Sequence, residues 1–147
     1  MSELGGSGWR DIRLEDVRSW ARADWIGSNA TRMEPASGVS TDTRSLEPGQ
    51  IFVALRGDRF DGHAHLAAAF EAGASAAVVE RTGDVTQRTY SGPLLAVDSP
   101  LAALGRLARQ YRRRYDIPVV AVTGSAGKTT AKEMIAAVLG RRYQVLA

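Results

Sequence analysis

Gly124, Gly127, Lys128, Thr129 and Thr130 stand in the run VVAVTGSAGKTT at residues 119–130, and their types and spacing suit phosphate chemistry. Glycines let backbone N–H groups close around phosphate oxygens, a lysine adds a mobile cation, and a neighbouring hydroxyl can hold Mg²⁺. The apolar run at 119–122 predicts a strand that aims the turn. The helical pattern from Lys128 onward adds the positive end of a helix at the same point. The strict spacing G-x-x-x-x-G-K-[ST] fails, because Val122 stands where its first glycine would. An ordinary glycine turn with a solvated Lys128 is the competing reading. The strand before the turn and the amphipathic helix after it favour nucleotide binding.

Only two of the nineteen basic residues are lysines, Lys128 and Lys132. A compact charge on a flexible stem suits terminal phosphates better than a planar guanidinium. Lys132 lies one turn later and is expected to be solvated.

Further polar groups lie upstream. Asp42, Thr43 and Arg44 could form a turn-stabilising Asx motif or meet a phosphate. Asp58, Arg59 and Phe60 combine a carboxylate, a cation and a ring, which could accept from a base N–H and cover its face, or Phe60 could be a core plug. His63 and His65, spaced i, i+2 with no carboxylate cluster, do not read as a metal pair. His63 is expected to complete a local hydrogen-bond arrangement supporting its loop. Five arginines against one aspartate at 101–118 raise nucleic acid as a partner. Arg106, Arg109, Arg112 and Arg113 instead follow the polar side of an amphipathic helix with no aromatic platform, so no nucleic-acid partner is expected.

The elements that must position these groups alternate. Helices are predicted at 14–25, 61–73, 99–117 and from Lys128. Strands are predicted at 51–55, 76–80, 94–97, 119–122 and 143–147. A flexible leader is expected at 1–10, a polar segment ending in a loop at 38–44, a Pro48-Gly49 turn, and a surface excursion at 81–92. In the helix after Ser99, Leu101, Leu104, Ala108, Tyr111 and Tyr115 are expected on one face; in the last helix Ala131, Met134, Ile135 and Val138 are expected to be buried. The order is that of an α/β protein. At 147 residues with a charge of +3, 44% apolar content and no cysteine, the chain suits a core-bearing protein without disulfides or thiolate metal sites, and a cytoplasmic location is expected. No apolar run reaches membrane-spanning length, and no membrane insertion is expected.

The loop TGSAGKTT and the helix AKEMIAAVL after it resemble the ATP loop of the Mur ligase family, whose T-G-[ST]-x-G-K-T-[TS] form lacks the first Walker glycine. The upstream segments STDTR, PGQIFVAL, GDRFDGH and AGA resemble the N-terminal signature of the same family, in the same order. The resemblance implies a small N-terminal α/β substrate-binding domain at 11–100 holding the UDP end of a UDP-N-acetylmuramoyl-peptide. A linker helix at 101–118 would follow, and then, at 119–147, the first strand–P-loop–helix of a P-loop ATPase domain. It further implies that Gly124, Ser125, Ala126, Gly127 and Lys128 cradle the ATP phosphates. Lys128 would act on the β- and γ-phosphates, Thr129 would ligate Mg²⁺, and Thr130 would add a phosphate hydrogen bond. Thr43 and Arg44 would lie near the uridine diphosphate, and Asp58, Arg59 and Phe60 would line the uracil pocket.

The implied activity is ATP-dependent amide ligation in cytoplasmic peptidoglycan precursor synthesis, by a monomer. The RFDGH form is most similar to the branch that adds D-alanyl-D-alanine, whose own site has no counterpart here. The diaminopimelate- or lysine-adding branch and a stand-alone UDP-precursor-binding module are the alternatives, as is an unrelated P-loop NTPase. Family members run to several hundred residues, so an N-terminal fragment inactive by itself is expected.

Overall fold

The computed structural model describes residues 9, 11–26, 35–82 and 90–146. The leader expected at 1–10 lies outside them except for Trp9, as does 83–89 of the expected excursion. The chain divides into two compact units, Met1–Tyr115 and Asp116–Ala147.

In the first unit, α1 (Leu14–Ala21) opens with Glu15 and Asp16 against the positive helix end, and Asp16 accepts from the Arg13 N–H at 2.9 Å. It stops earlier than the apolar spacing predicts. Arg22 takes a left-handed conformation (φ 57°) and closes hydrogen bonds back to Arg18 and Ser19. Trp25 consequently falls in β1 (Asp24–Ile26) rather than on the helix. The Arg106 guanidinium donates to the Ala21 carbonyl at 2.7 and 3.0 Å, so that arginine caps α1 instead of lying on a solvated face.

Four further strands complete the main sheet: β2 (Gly38–Ser40), β3 (Gln50–Val53), β6 (Ala76–Glu80) and β7 (Leu94–Val97). Its order is β1-β7-β6-β3-β2, with β1 antiparallel to β7 and the other pairs parallel. The near-continuous apolar runs of β3, β6 and β7 follow from burial on both faces. Ile51, Val53, Val78, Leu95 and Val97 face one way, against α1 and α3 (Pro100–Arg112). Phe52, Ala54, Ala77, Val79 and Leu94 face the other, against α2 (Leu66–Glu71). The result is a three-layer α/β unit. Gly38–Ser40 was expected in a polar segment; pairing with β3 recruits it as a short edge strand, with Val39 half-buried. The Pro48-Gly49 turn is closed by the Gln50 N–H on the Glu47 carbonyl at 3.1 Å.

Helix α3 begins at Ser99, whose hydroxyl accepts from the Ala102 N–H at 3.2 Å, with Pro100 next. Its buried stripe is Pro100, Ala103 and Leu107, flanked by Leu104 and Tyr111. The predicted stripe is therefore correct only in part. Leu101 is 68% exposed and Ala108 is exposed, because Pro100 itself packs inward and rotates the face. Tyr111 stacks on Trp9 with centroids 5.1 Å apart and accepts from the Tyr115 hydroxyl at 2.9 Å.

The second unit departs from expectation. Residues 119–122 and 143–146 form no strand, and the helix α4 (Lys128–Leu139) has no buried residue. Met134 and Val138 are exposed, while Ala131 and Ile135 are half-buried. The reason is physical: a strand is defined by a ladder partner, and a lone strand–helix segment supplies neither that partner nor a second apolar layer.

Candidate functional site

Because β2, β3, β6 and β7 run parallel, their carboxyl ends share one edge, where α/β sheets usually take ligands. The turn at 41–44 leaves β2 at this edge. The hairpin of β4 (Arg56–Gly57) and β5 (Phe60–Asp61) leaves β3.

In the first loop, Arg44 donates its backbone N–H to Asp42 Oδ1 at 3.0 Å, which makes an Asx turn. Its guanidinium also grips the same carboxylate, Nη2 to Oδ2 at 2.6 Å and Nε to Oδ1 at 2.9 Å. The Arg44 side chain, then its backbone N–H, holds the Asp42 carboxyl down at about 2. The Asx turn, one of the two readings of this segment, is thus present, and it leaves the Arg44 side chain 88% exposed. Thr43 is half-buried beside it.

In the second loop, Asp58 and Arg59 form the exposed hairpin tip. Phe60 is 47% exposed and is no core plug; it stacks on His65 with centroids 5.7 Å apart and planes 16° from parallel. Gly62 lets the hairpin fold back on β3. A Cβ there would sit 2.9 Å from Ala54 Cα and from the Leu55 backbone, while the Gly62 N–H donates to the Leu55 carbonyl at 2.8 Å.

Asp61 is the hub of this loop. It accepts from the His63 backbone N–H at 3.0 Å, from His63 Nδ1 at 2.7 Å, and from Arg56 Nη2 at 3.0 Å and Nε at 3.2 Å. The His63 backbone, then its ring, and then Arg56 lower the Asp61 carboxyl to about 2. His63 supports its loop as the sequence predicts. Arg56 and Glu80 went unnoticed in the sequence, since nothing in their spacing marks a hairpin folding back on β6, and the stacking of His65 on Phe60 was not foreseen.

The glycine loop lies in the second unit. Gly127 takes φ 74°, a conformation that disfavours any side chain, and starts α4 with no side-chain cap. The first-turn N–H groups of Lys128, Thr129 and Thr130 have no carbonyl one turn back. Lys128 Nζ donates to the Gly124 carbonyl at 2.5 Å, which curls the side chain over the turn. A surface cavity of about 280 Å³ is lined by Val120, Val122, Lys128, Thr129 and Lys132, so Lys132 shares a cleft with Lys128. Ser125, Ala126 and Thr130 are exposed. Among the described residues no group of three or more His, Cys, Asp or Glu could hold a metal ion. Among the described residues no helix is long and apolar enough to cross a membrane.

A mainly parallel sheet between helices, with polar loops gathered at its strand ends, defines an α/β protein with a candidate ligand edge. The model of the Mur ligase family, catalytic domain, matches residues 35–112, and the chain belongs to that family. It is 47% identical over 108 residues to the UDP-N-acetylmuramoyl-tripeptide–D-alanyl-D-alanine ligase of Bacillus subtilis, covering 74% of this chain and 23% of that one. It is 34% identical over 123 residues to the UDP-N-acetylmuramoyl-L-alanyl-D-glutamate–2,6-diaminopimelate ligase of Janthinobacterium, covering 82% and 23%. Among solved structures, the UDP-N-acetylmuramoylalanyl-D-glutamyl-2,6-diaminopimelate–D-alanyl-D-alanyl ligase of Acinetobacter baumannii superposes with TM-score 0.72 at 30% identity, over 88% of this chain and 28% of that one. The MurF ligase of Thermotoga maritima in complex with ADP superposes with TM-score 0.65 at 34% identity, over 74% and 24%. The chain spans about a quarter of the length of the curated relatives it matches.

Proposed function

We propose that this chain is the UDP-precursor-binding and phosphate-loop portion of an ATP-dependent ligase that joins D-alanyl-D-alanine to a UDP-N-acetylmuramoyl-tripeptide. One observation carries the reading: the 47% identity over 108 residues to a ligase of that name, against 34–41% for the diaminopimelate-adding relatives. Arg44, Arg59 and the half-exposed Phe60 ring supply the chemistry a uridine diphosphate needs: guanidinium for phosphate, an aromatic face for the base. Thr43 and Asp58 stand beside them to accept or donate at polar edges.

ATP would supply the leaving phosphate that activates a carboxylate for attack by an amine. The glycine loop fits that group: uncapped helix N–H groups, a lysine that reaches back across the turn, and a Thr129 hydroxyl in the same cleft for Mg²⁺. Lys128 would neutralise terminal phosphate charge, and Gly124, Ser125, Ala126, Gly127 and Thr130 would surround it. The ligand chemistry belongs to the cytoplasmic steps of peptidoglycan synthesis.

Grafting tests the reading. Residues 9–146 replace the matching segment of the Bacillus subtilis D-alanyl-D-alanine ligase and, separately, of the Janthinobacterium diaminopimelate ligase. The account predicts ADP release in the first host and its loss on Lys128→Ala. Activity only in the second host favours the diaminopimelate branch. Two folded but inactive grafts that still bind UDP indicate a binding module instead.

A further inference from the structure

The hairpin that bears Asp58, Arg59 and Phe60 is exposed from Arg56 to Phe60, yet it is tied down at two places. Next to the tip, Phe60 stacks on His65. At the base, Arg56, Asp61, His63 and Glu80 close a ring of four. Arg56 spans Asp61 Oδ2 and Glu80 Oε2, each at 3.0 Å. His63 spans Asp61 Oδ1 at 2.7 Å and the Glu80 backbone N–H at 2.9 Å.

The two arms of this ring are unequal. The Arg56 arm is half-exposed and screened by solvent. The His63 side chain is only 8% exposed, and one of its bonds reaches the backbone of β6. A backbone N–H can only donate, so Nε2 must carry its lone pair. An ionised Asp61 can only accept, so Nδ1 must carry the proton. The partners therefore select one tautomer of a neutral imidazole.

We infer that His63 is a positioning residue for the nucleotide site. In its neutral Nδ1–H form it locks the hairpin of residues 56–61 onto the end of β6, and it thereby sets how tightly Arg59 and Phe60 receive a uridine diphosphate. This rests on the UDP reading of the hairpin proposed above. His63 itself touches no ligand; it acts through Asp61 and through the placement of the hairpin.

Two near-isosteres separate the bonds. Glutamine can place a carbonyl oxygen where Nε2 lies and still accept from Glu80; asparagine can place an amide N–H where Nδ1 lies and still donate to Asp61. The experiment uses the whole 147-residue chain. Nitrogen NMR on the wild type should show His63 with a protonated Nδ1 and a bare Nε2; a protonated Nε2 at neutral pH overturns the inference. The amide resonances of residues 58–60 should move together in His63→Asn and His63→Ala and stay near wild-type positions in His63→Gln. UDP titration should find His63→Gln within about threefold of wild type, and His63→Asn and His63→Ala weaker by about tenfold. Hairpin resonances that ignore all three substitutions, or a glutamine variant as weak as alanine, also overturn it. If wild-type chain binds no UDP while the hairpin resonances respond as described, the UDP reading fails and the positioning of the hairpin by His63 stands.

Discussion

Arg44 holds Asp42 from both sides of the chain, by its guanidinium at 2.6 Å and by its own backbone N–H at 3.0 Å. A matching arrangement surrounds Asp61, and both carboxyls lie at about 2 instead of the ordinary 3.8. A carboxyl lowered on folding stabilises the native state fully above its unfolded value, and that contribution is lost as pH falls towards the folded value. The stability of the chain should thus decline between about pH 4 and pH 2. Urea midpoints across that window check it: the double variant Asp42→Asn, Asp61→Asn should decline less steeply than wild type. Because both groups are partly exposed and screened, added salt should shrink the difference. Parallel declines in the two proteins would contradict this account.

The backbone closes around Gly62 too tightly for a methyl group, with Ala54 and Leu55 atoms 2.9 Å from the place a Cβ would take. Gly62→Ala should cost on the order of 1–3 kcal/mol by forcing the hairpin away from β3. Hydrogen exchange should rise at residues 55–62 before it rises in β7. An unchanged exchange pattern would contradict the close packing.

The inward stripe of α3 makes a contrast between two leucines. Leu107 is 1% exposed and Leu101 is 68% exposed. Leu107→Ala should lower unfolding free energy by about 2–5 kcal/mol, while Leu101→Ala should stay within about 0.5 kcal/mol. Denaturant unfolding of the two variants measures this directly, and equal losses would mean the helix faces the core differently.

Lys128 donates to the Gly124 carbonyl within the second unit, whereas the 41–44 and 56–61 loops belong to the first. Lys128→Ala should leave UDP affinity within about twofold of wild type, a change smaller than one ordinary hydrogen bond. A loss of UDP binding in that variant would merge the two candidate sites into one.

Much of the first unit is legible from residue types. The β3, β6 and β7 runs, the Ser99 cap and the Pro48-Gly49 turn all depend on local chemistry, and each lies where its sequence signal falls. What escapes is set by contacts distant in sequence. Val39 joins a strand because β3 offers an edge, and Trp25 leaves its helix because Arg22 turns left-handed and β7 offers a partner. The face of α3 turns on the burial of one proline. In the second unit the apolar pattern of 119–122 is plain, but a strand also needs a neighbour, and local pattern cannot supply one. In the candidate site, Asp58, Arg59 and Phe60 stand out by type. Glu80 contributes a backbone N–H, which no side-chain pattern marks.

The central claim is that the loops at 41–44 and 56–65 receive a uridine diphosphate. Calorimetric titration of UDP into the 147-residue chain tests it most directly, with Arg59→Ala and Phe60→Ala alongside. The account predicts saturable binding with a dissociation constant on the order of micromolar, weakened about tenfold in each variant. No saturable binding, or binding that neither substitution weakens, would contradict it.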